Sequence, residues 1–235
     1  MNADQPRPIH NEAELTEAEK HKTLKKVVFS SFLGNFIEWF DYASYSYLAT
    51  VIALVFFPGE DRTVAVMSTF GVFALAFLVR PLGAIFWGNM GDKKGRKWAL
   101  SISILMMSGA TFLIGCLPGY AVIGVGAPLL LLLMRMVQSF SASGEYAATF
   151  IAEYSPKNHR GFYCSMVPAS TAVGLLVGSL FATWMFNTFG ASSDFVVNWG
   201  WRIPFWLAGP LGYITHYIRE HLEDSPVYAK MQAEL

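Results

Sequence analysis

Residues 88–117 read GNMGDKKGRKWALSISILMMSGATFLIGCL. The second part, Trp98 to Leu117, runs for twenty residues without a charge. A hydrocarbon core about 30 Å thick is crossed by a helix of about 20 apolar residues, so this run is long enough to span a membrane. The first part carries five charges between Asp92 and Lys97 and belongs in water. The stretch reads as a tight charged turn feeding a transmembrane helix. Gly91 and Gly95 permit close backbone approach there, and Asp92 can cap the next helix or pair with a neighbouring arginine.

Five more segments have spanning length: Val27–Phe57, Thr63–Trp87, Val122–Ala152, Gly161–Phe189 and Val196–Ile218. Breaker-rich turns separate them, as at 57–60, 117–120 and 154–157. An all-α membrane protein of six spans is therefore expected over 27–218, with a polar tail at 1–26 and a polar segment at 219–235. The composition agrees: 54% of residues are hydrophobic and 14% charged, with mean hydropathy +0.38. A soluble domain carries roughly 25% charged residues, and too few polar residues are present to cover six apolar helices in water. Seventeen basic and seventeen acidic residues cancel, so no net field points to a nucleic-acid partner.

Lysine and arginine set the orientation. Thirteen fall in the tail, the 88–97 and 153–160 loops and the segment after the sixth span; the opposite side holds only Arg62 and Arg202. The positive-inside rule places both termini in the cytoplasm. Trp199, Trp201 and Trp206 lie where an outer aromatic belt is expected. The tail lacks the short apolar core of a secretory signal. Cys116 and Cys164 fall near opposite faces, too far apart for a disulfide, and read as small buried hydrophobes.

Five ionisable residues lie inside the spans: Glu38, Asp41, Arg80, Arg135 and Glu145. Each costs about 2.5–3.5 kcal/mol or more at mid-membrane, so each is expected to face protein or a water-filled cavity. Glu38 and Asp41 share a helix face with Gly34, Tyr42 and Tyr45, which reads as one wall of a polar cavity. Burial raises a carboxyl pKa and a nearby arginine lowers it, a combination suited to following a proton gradient. The plainer alternative is that these acids fasten the first helix to its neighbours. Arg135, with Gln138 at i+3, is a partner for Glu38, for Asp41 or for an anionic group on a solute. Arg80, before Pro81, either sits in a cavity or snorkels to the cytoplasm. Glu145 reads as a packing or gating charge.

The turn and the span charges carry a resemblance. Gly88-x-x-x-Asp92-Lys-x-Gly95-Arg96-Lys97 resembles the signature loop of the major facilitator superfamily, and Arg135-x-x-Gln138 resembles its fourth-helix motif. Gly34-Asn-x-x-Glu38-Trp-Phe-Asp41, Arg80-Pro-Leu-Gly83, Ser143-Gly-Glu-Tyr146, Ala152-Glu-Tyr-Ser-Pro156 and Trp199-Gly-Trp-Arg-Ile-Pro204 narrow the likeness to the metabolite:proton symporters, carriers of proline and betaine, α-ketoglutarate, citrate and shikimate. The resemblance, over about residues 26–230, implies one half of a major-facilitator fold, built as two three-helix repeats in the cytoplasmic membrane. It implies solute uptake driven by a proton gradient without a cofactor. Gly88, Asp92, Gly95 and Arg96 would gate the cytoplasmic side. Glu38, Asp41, Tyr42, Tyr45, Arg135 and Gln138 would line the solute and proton path. The fifth-helix motif of drug:proton antiporters is absent, which favours symport.

Two departures stand out. Ser139 and Ser143 replace the family's usual glycines, and the chain is about two residues short between Tyr146 and Ala152. Two residues amount to roughly 200° of helical rotation, so either the helix end re-registers or Arg135 and Glu153 cannot both take their usual places. The family has twelve spans around a midplane site, so a C-terminal six-helix half is the expected partner, alongside lipid, solute and H+. An inactive remnant is the alternative, as is a homodimeric half-size carrier packed through Gly174 and Gly178. Enzyme signatures such as His-Glu-x-x-His, Gly-x-Ser-x-Gly or a phosphate-binding loop are missing, and no histidine sits at metal-ligand spacing from a cysteine. For the solute, aromatic side chains at Trp39, Tyr42 and Tyr45 suit a quaternary ammonium and Arg135 suits a carboxylate, which together favour a zwitterion.

Overall fold

The computed structural model describes residues 17–59, 61–142 and 144–221, and the elements in them are all helical. The first expected span is α1 (Glu17–Tyr47) and α2 (Ala49–Phe56), with a step at Leu48 between them. The second is α3 (Arg62–Phe77) and α4 (Arg80–Lys94). They part at Leu78 and Val79, which fall back on i→i+3 bonds to Leu75 and Ala76. Pro81 explains the break, since it has no N–H and its ring collides with the carbonyl four residues back. The uncharged run is α5 (Arg96–Cys116).

The fourth expected span is divided into α6 (Tyr120–Ile123), α7 (Gly126–Ser141) and α8 (Gly144–Tyr154). Next come α9 (Arg160–Cys164) and α10 (Met166–Phe189), then α11 (Asp194–Asn198) and α12 (Ile203–Glu220), with a 3₁₀ turn at Gly200–Arg202 between the last two. Among the described residues, Arg62–Lys94, Arg96–Cys116 and Lys157–Phe189 are long and apolar enough to cross a membrane, and Gly126–Ser141 is a shorter apolar helix.

α1 lies along α10 and against α12, α5 lies along α12, and α7 packs on α3, α4 and α5. Small residues permit this closeness. A Cβ on Gly178 would sit 2.6 Å from Ala43 Cβ on α1. Gly174 likewise faces the α1 backbone at Phe36 and Phe40. The Gly174/Gly178 face is thus occupied within the chain, which removes the feature that suggested a homodimer. One apolar cluster gathers Phe56 from α2, Trp201 from the 3₁₀ turn and Phe205 from α12, and a second, at the other end, gathers Val27, Leu100 and Phe150. Outward-facing positions are apolar, as at Leu78, Ile85 and Val122, while Glu38, Asp41, Arg135 and Gln138 are buried. That inversion of a water-soluble protein is what lipid as solvent favours.

α1 begins at Glu17, ten residues before the first apolar run, because Ala, Leu, Glu and Lys there are good helix formers. Two expectations need correction. The charged turn is far shorter than 88–97: Gly88 and Asp92 lie inside α4, whose last turn carries Lys93 and Lys94, where cations suit the helix dipole. Only Gly95, at φ 104°, makes the turn. Of the two roles open to Asp92, the structure has the pairing, at 3.9 Å from Arg96, with no side-chain cap on α5. Trp201 is fully buried against Phe56 and Phe205, so it belongs to the core rather than to an aromatic belt.

Candidate functional site

The face of α1 that carries Glu38, Asp41, Tyr42 and Tyr45 points into the bundle. Four-residue spacing stacks Glu38 under Tyr42 and Asp41 under Tyr45, so the four groups form two adjacent rows. The rows have different partners. Asp41 Oδ2 accepts from Arg135 Nη1 at 2.5 Å and from Gln138 Nε2 at 2.6 Å. Arg135 Nη1 also donates to Gln138 Oε1 at 2.6 Å, and Gln138 Nε2 to Thr111 Oγ1 at 2.9 Å. Asp41 Oδ1 and Arg135 Nε and Nη2 are buried without hydrogen-bond partners among the described residues.

The Arg135 guanidinium is lidded by rings: Tyr45 at 4.0 Å, Phe205 at 5.5 Å and Phe73 at 5.9 Å from its central carbon. Tyr45 is fixed there by donating its hydroxyl to the Thr69 carbonyl at 2.6 Å. These contacts leave the guanidinium 1% exposed.

Glu38 is paired with Arg80, not Arg135. Its Oε1 is 2.7 Å from Arg80 Nη1, and Tyr42 donates to the same oxygen at 3.0 Å while accepting from Arg80 Nη1 at 2.9 Å. The proline break swings Arg80 to the α1 side, which decides between cavity and snorkelling in favour of the interior. Glu38, Asp41 and Arg135 therefore do not share one open hollow. They form two neighbouring ion pairs, one sealed and one partly open. A cavity of about 530 Å³ opens elsewhere, beside Cys116, Asn198, Trp199, Arg202 and Trp206.

At the opposite end, Arg96 Nε meets Glu153 Oε1 at 2.7 Å, tying the start of α5 to α8. Ala142 adopts extended geometry (ψ 126°), so α8 is not a continuation of α7. On either side of that break Arg135 pairs with Asp41 and Glu153 with Arg96. The side chain of Glu145 lies outside the described residues. Sequence reasoning missed Thr111, Phe205 and Arg219. Arg219 is buried, donating to the carbonyls of Leu100 and Ser30. Its signal was available as a cation just past an apolar run, yet its position suggested an aqueous surface.

An apolar outer surface around buried ion pairs, in a bundle with helices long and apolar enough to cross a membrane, defines a membrane-protein fold. The chain belongs to the Sugar (and other) transporter family of the major facilitator superfamily, matching it over residues 26–235. It is 44% identical over 207 residues to the proline/betaine transporter of Salmonella typhimurium, which covers 87% of this chain and 41% of that protein. It is 43% identical, with the same coverage, to the glycine betaine/proline/ectoine/pipecolic acid transporter OusA of Dickeya dadantii. The chain thus spans about two fifths of the length of these relatives. The proton:xylose symporter XylE bound to 6-bromo-6-deoxy-D-glucose has the same fold, with TM-score 0.75 at 15% identity over 91% of this chain and 47% of that one. XylE from E. coli in a partially occluded inward-open conformation gives 0.72 at 18% identity, covering 89% and 52%. The family is one of membrane transporters rather than enzymes, and its transporters use no cofactor and are driven by ion or proton gradients.

Proposed function

We propose that this chain forms the N-terminal, six-span half, in two three-helix repeats, of a proton:solute symporter of the cytoplasmic membrane, with both termini in the cytoplasm and a small zwitterion such as proline or betaine as solute. The observation that carries the proposal is the one-sided pairing of Asp41: one oxygen holds Arg135 and Gln138, and the other is buried and idle. A proton arriving on Asp41 removes the charge that compensates Arg135. Breaking a buried pair costs about 3–5 kcal/mol, because the remaining charge is left alone in low dielectric. The bundle relieves that penalty by opening the site to water. Each proton supplies about 2.3 kcal/mol per 100 mV of membrane potential and about 1.4 kcal/mol per unit of pH difference, a drive of matching size. Gly88, Asp92, Gly95 and Arg96, with Glu153, close the cytoplasmic end in this scheme.

The relatives' transported compounds support the zwitterion, since each joins a carboxylate to a cationic nitrogen. The test uses right-side-out vesicles from cells expressing the whole reading frame. An imposed acid-outside gradient is expected to drive uptake of radiolabelled proline or glycine betaine, and Asp41→Asn to abolish it. Uptake by Asp41→Asn with unchanged dependence on the gradient refutes Asp41 as the proton site.

A further inference from the structure

Arg80 and Arg135 are both buried-span guanidiniums paired to α1 carboxylates, yet they differ in what they leave free. Arg135 is 1% exposed and covered by three rings. Arg80 is 24% exposed, and Glu38 and Tyr42 both bind its Nη1. Its Nη2 and Nε, the side-on edge of the guanidinium, have no hydrogen-bond partner among the described residues. That edge is the one that grips a carboxylate through two parallel hydrogen bonds.

The depth of Arg80 matters as much. It lies eighteen residues from Arg62 and fourteen from Lys94 in the span Arg62–Lys94, about 27 and 21 Å along a helix. A bare cationic edge at mid-membrane is too costly to face lipid, so in the assembled carrier it faces protein or an aqueous path. It also stands at the interruption between α3 and α4, and solute sites of secondary transporters lie near the midplane at interrupted helices.

One aromatic ring lies against it and a second lies behind its partner Tyr42. The Phe77 ring centre lies 5.2 Å from the guanidinium carbon, and Trp39 packs edge-on to Tyr42 at 5.3 Å. Trp39 and Phe77 both retain exposed surface, and an aromatic face attracts an ammonium.

We propose that Arg80, half-neutralised by Glu38 and oriented by Tyr42, holds the carboxylate of the transported solute through its free edge, with the solute's cationic nitrogen against Trp39 and Phe77; this rests on the transporter function proposed above. Arg135 is thereby assigned to the proton site alone. Glu38 and Tyr42 act as positioning residues that keep the free edge turned outward.

The experiment measures acid-driven uptake of labelled glycine betaine in right-side-out vesicles from cells expressing the whole reading frame, with membrane levels checked by immunoblot. For the wild type, unlabelled betaine is expected to compete, whereas choline and betaine methyl ester, which keep the cation and lack the carboxylate, compete at least about tenfold less well. Arg80→Gln is expected to raise KM roughly 10- to 100-fold, the loss of one charge-assisted pair, and Arg80→Lys to recover part of it. Arg80→Gln is also expected to narrow the gap between betaine and its ester. Equal competition by acid and ester in gradient-driven wild-type uptake overturns the assignment of Arg80 and leaves proton symport intact. Carboxylate-selective uptake that is weakened in Arg80→Gln but indifferent to the gradient upholds Arg80 and removes proton coupling. Well-expressed Arg80→Gln with unchanged KM and unchanged selectivity also overturns the assignment.

Discussion

Gly83 is where the packing of α4 on α7 is tightest. A Cβ built there would lie 2.1 Å from the Phe140 carbonyl oxygen and 2.8 Å from the Phe140 Cα and carbonyl carbon. A carbon and a carbonyl oxygen in contact keep about 3.3–3.6 Å. Gly83→Ala must therefore push the helices apart by about 1.2 Å or more, since the obstacle is backbone and has no rotamer to change. The same carbonyl accepts the Trp87 indole N–H at 3.0 Å, and that separation breaks the bond. Overpacking costs about 1–3 kcal/mol and a lost hydrogen bond about 1 kcal/mol. A total near 2–4 kcal/mol corresponds to a Tm lower by roughly 5–15 °C for a protein of this size. Thermal unfolding in detergent, followed by tryptophan fluorescence, measures it. Gly71→Ala is the control: a Cβ there meets nothing within 4 Å, so helix propensity alone acts and stability holds or rises slightly. If Gly83→Ala melts with the wild type and with Gly71→Ala, the close crossing of α4 and α7 is wrong.

Orientation is open to a chemical test. Cys116 is exposed at the end of α5 assigned to the outside, so a membrane-impermeant maleimide is expected to label it in intact cells and to label Cys164 only after permeabilisation; the reverse pattern inverts the topology. Gly34 makes room for Arg219, whose Nη2 would be 2.5 Å from a Cβ there. Gly34→Ala and Arg219→Met are each expected to lower Tm, with the double variant less destabilised than the sum, and strict additivity counts against the contact. Asp41→Asn is expected to destabilise by about 3–5 kcal/mol, because Arg135 stays buried without its counter-charge. Asp41→Asn combined with Arg135→Gln is expected to regain most of that loss in the same melting assay, and a double variant no more stable than the single refutes the pairing.

Three of the expected spans, those at Arg62–Lys94, Arg96–Cys116 and Lys157–Phe189, were legible because apolar length is a one-dimensional property, and Pro81 marks the α3–α4 break. The start of α1 was not, since polar helix formers such as those before Val27 give no apolar stripe to read. Asp41 and Arg135 stood out because charge inside an apolar run is rare, and Gln138 because it lies at i+3 from Arg135. Their pairing with one another, and of Glu38 with Arg80, was underdetermined: both acids share a helix face, and which arginine reaches which depends on how α4 and α7 cross α1. The break at Ala142 was foreshadowed only as a dilemma of register. Thr111 and Phe205 gave no warning, because a threonine and a phenylalanine in apolar helices are ordinary.

The interruption at Ala142 has an evolutionary side. In a continuous helix, deleting residues between two functional groups turns one around the axis relative to the other, by about 100° per residue. A break at Ala142 lets such a rotation be taken up without unseating the ion pairs at either end. Insertions and deletions should therefore be tolerated between Ser141 and Phe150, whereas one extra residue between Arg135 and Gln138 would pull the amide away from Asp41. Length variation among related chains is expected to collect at this swivel.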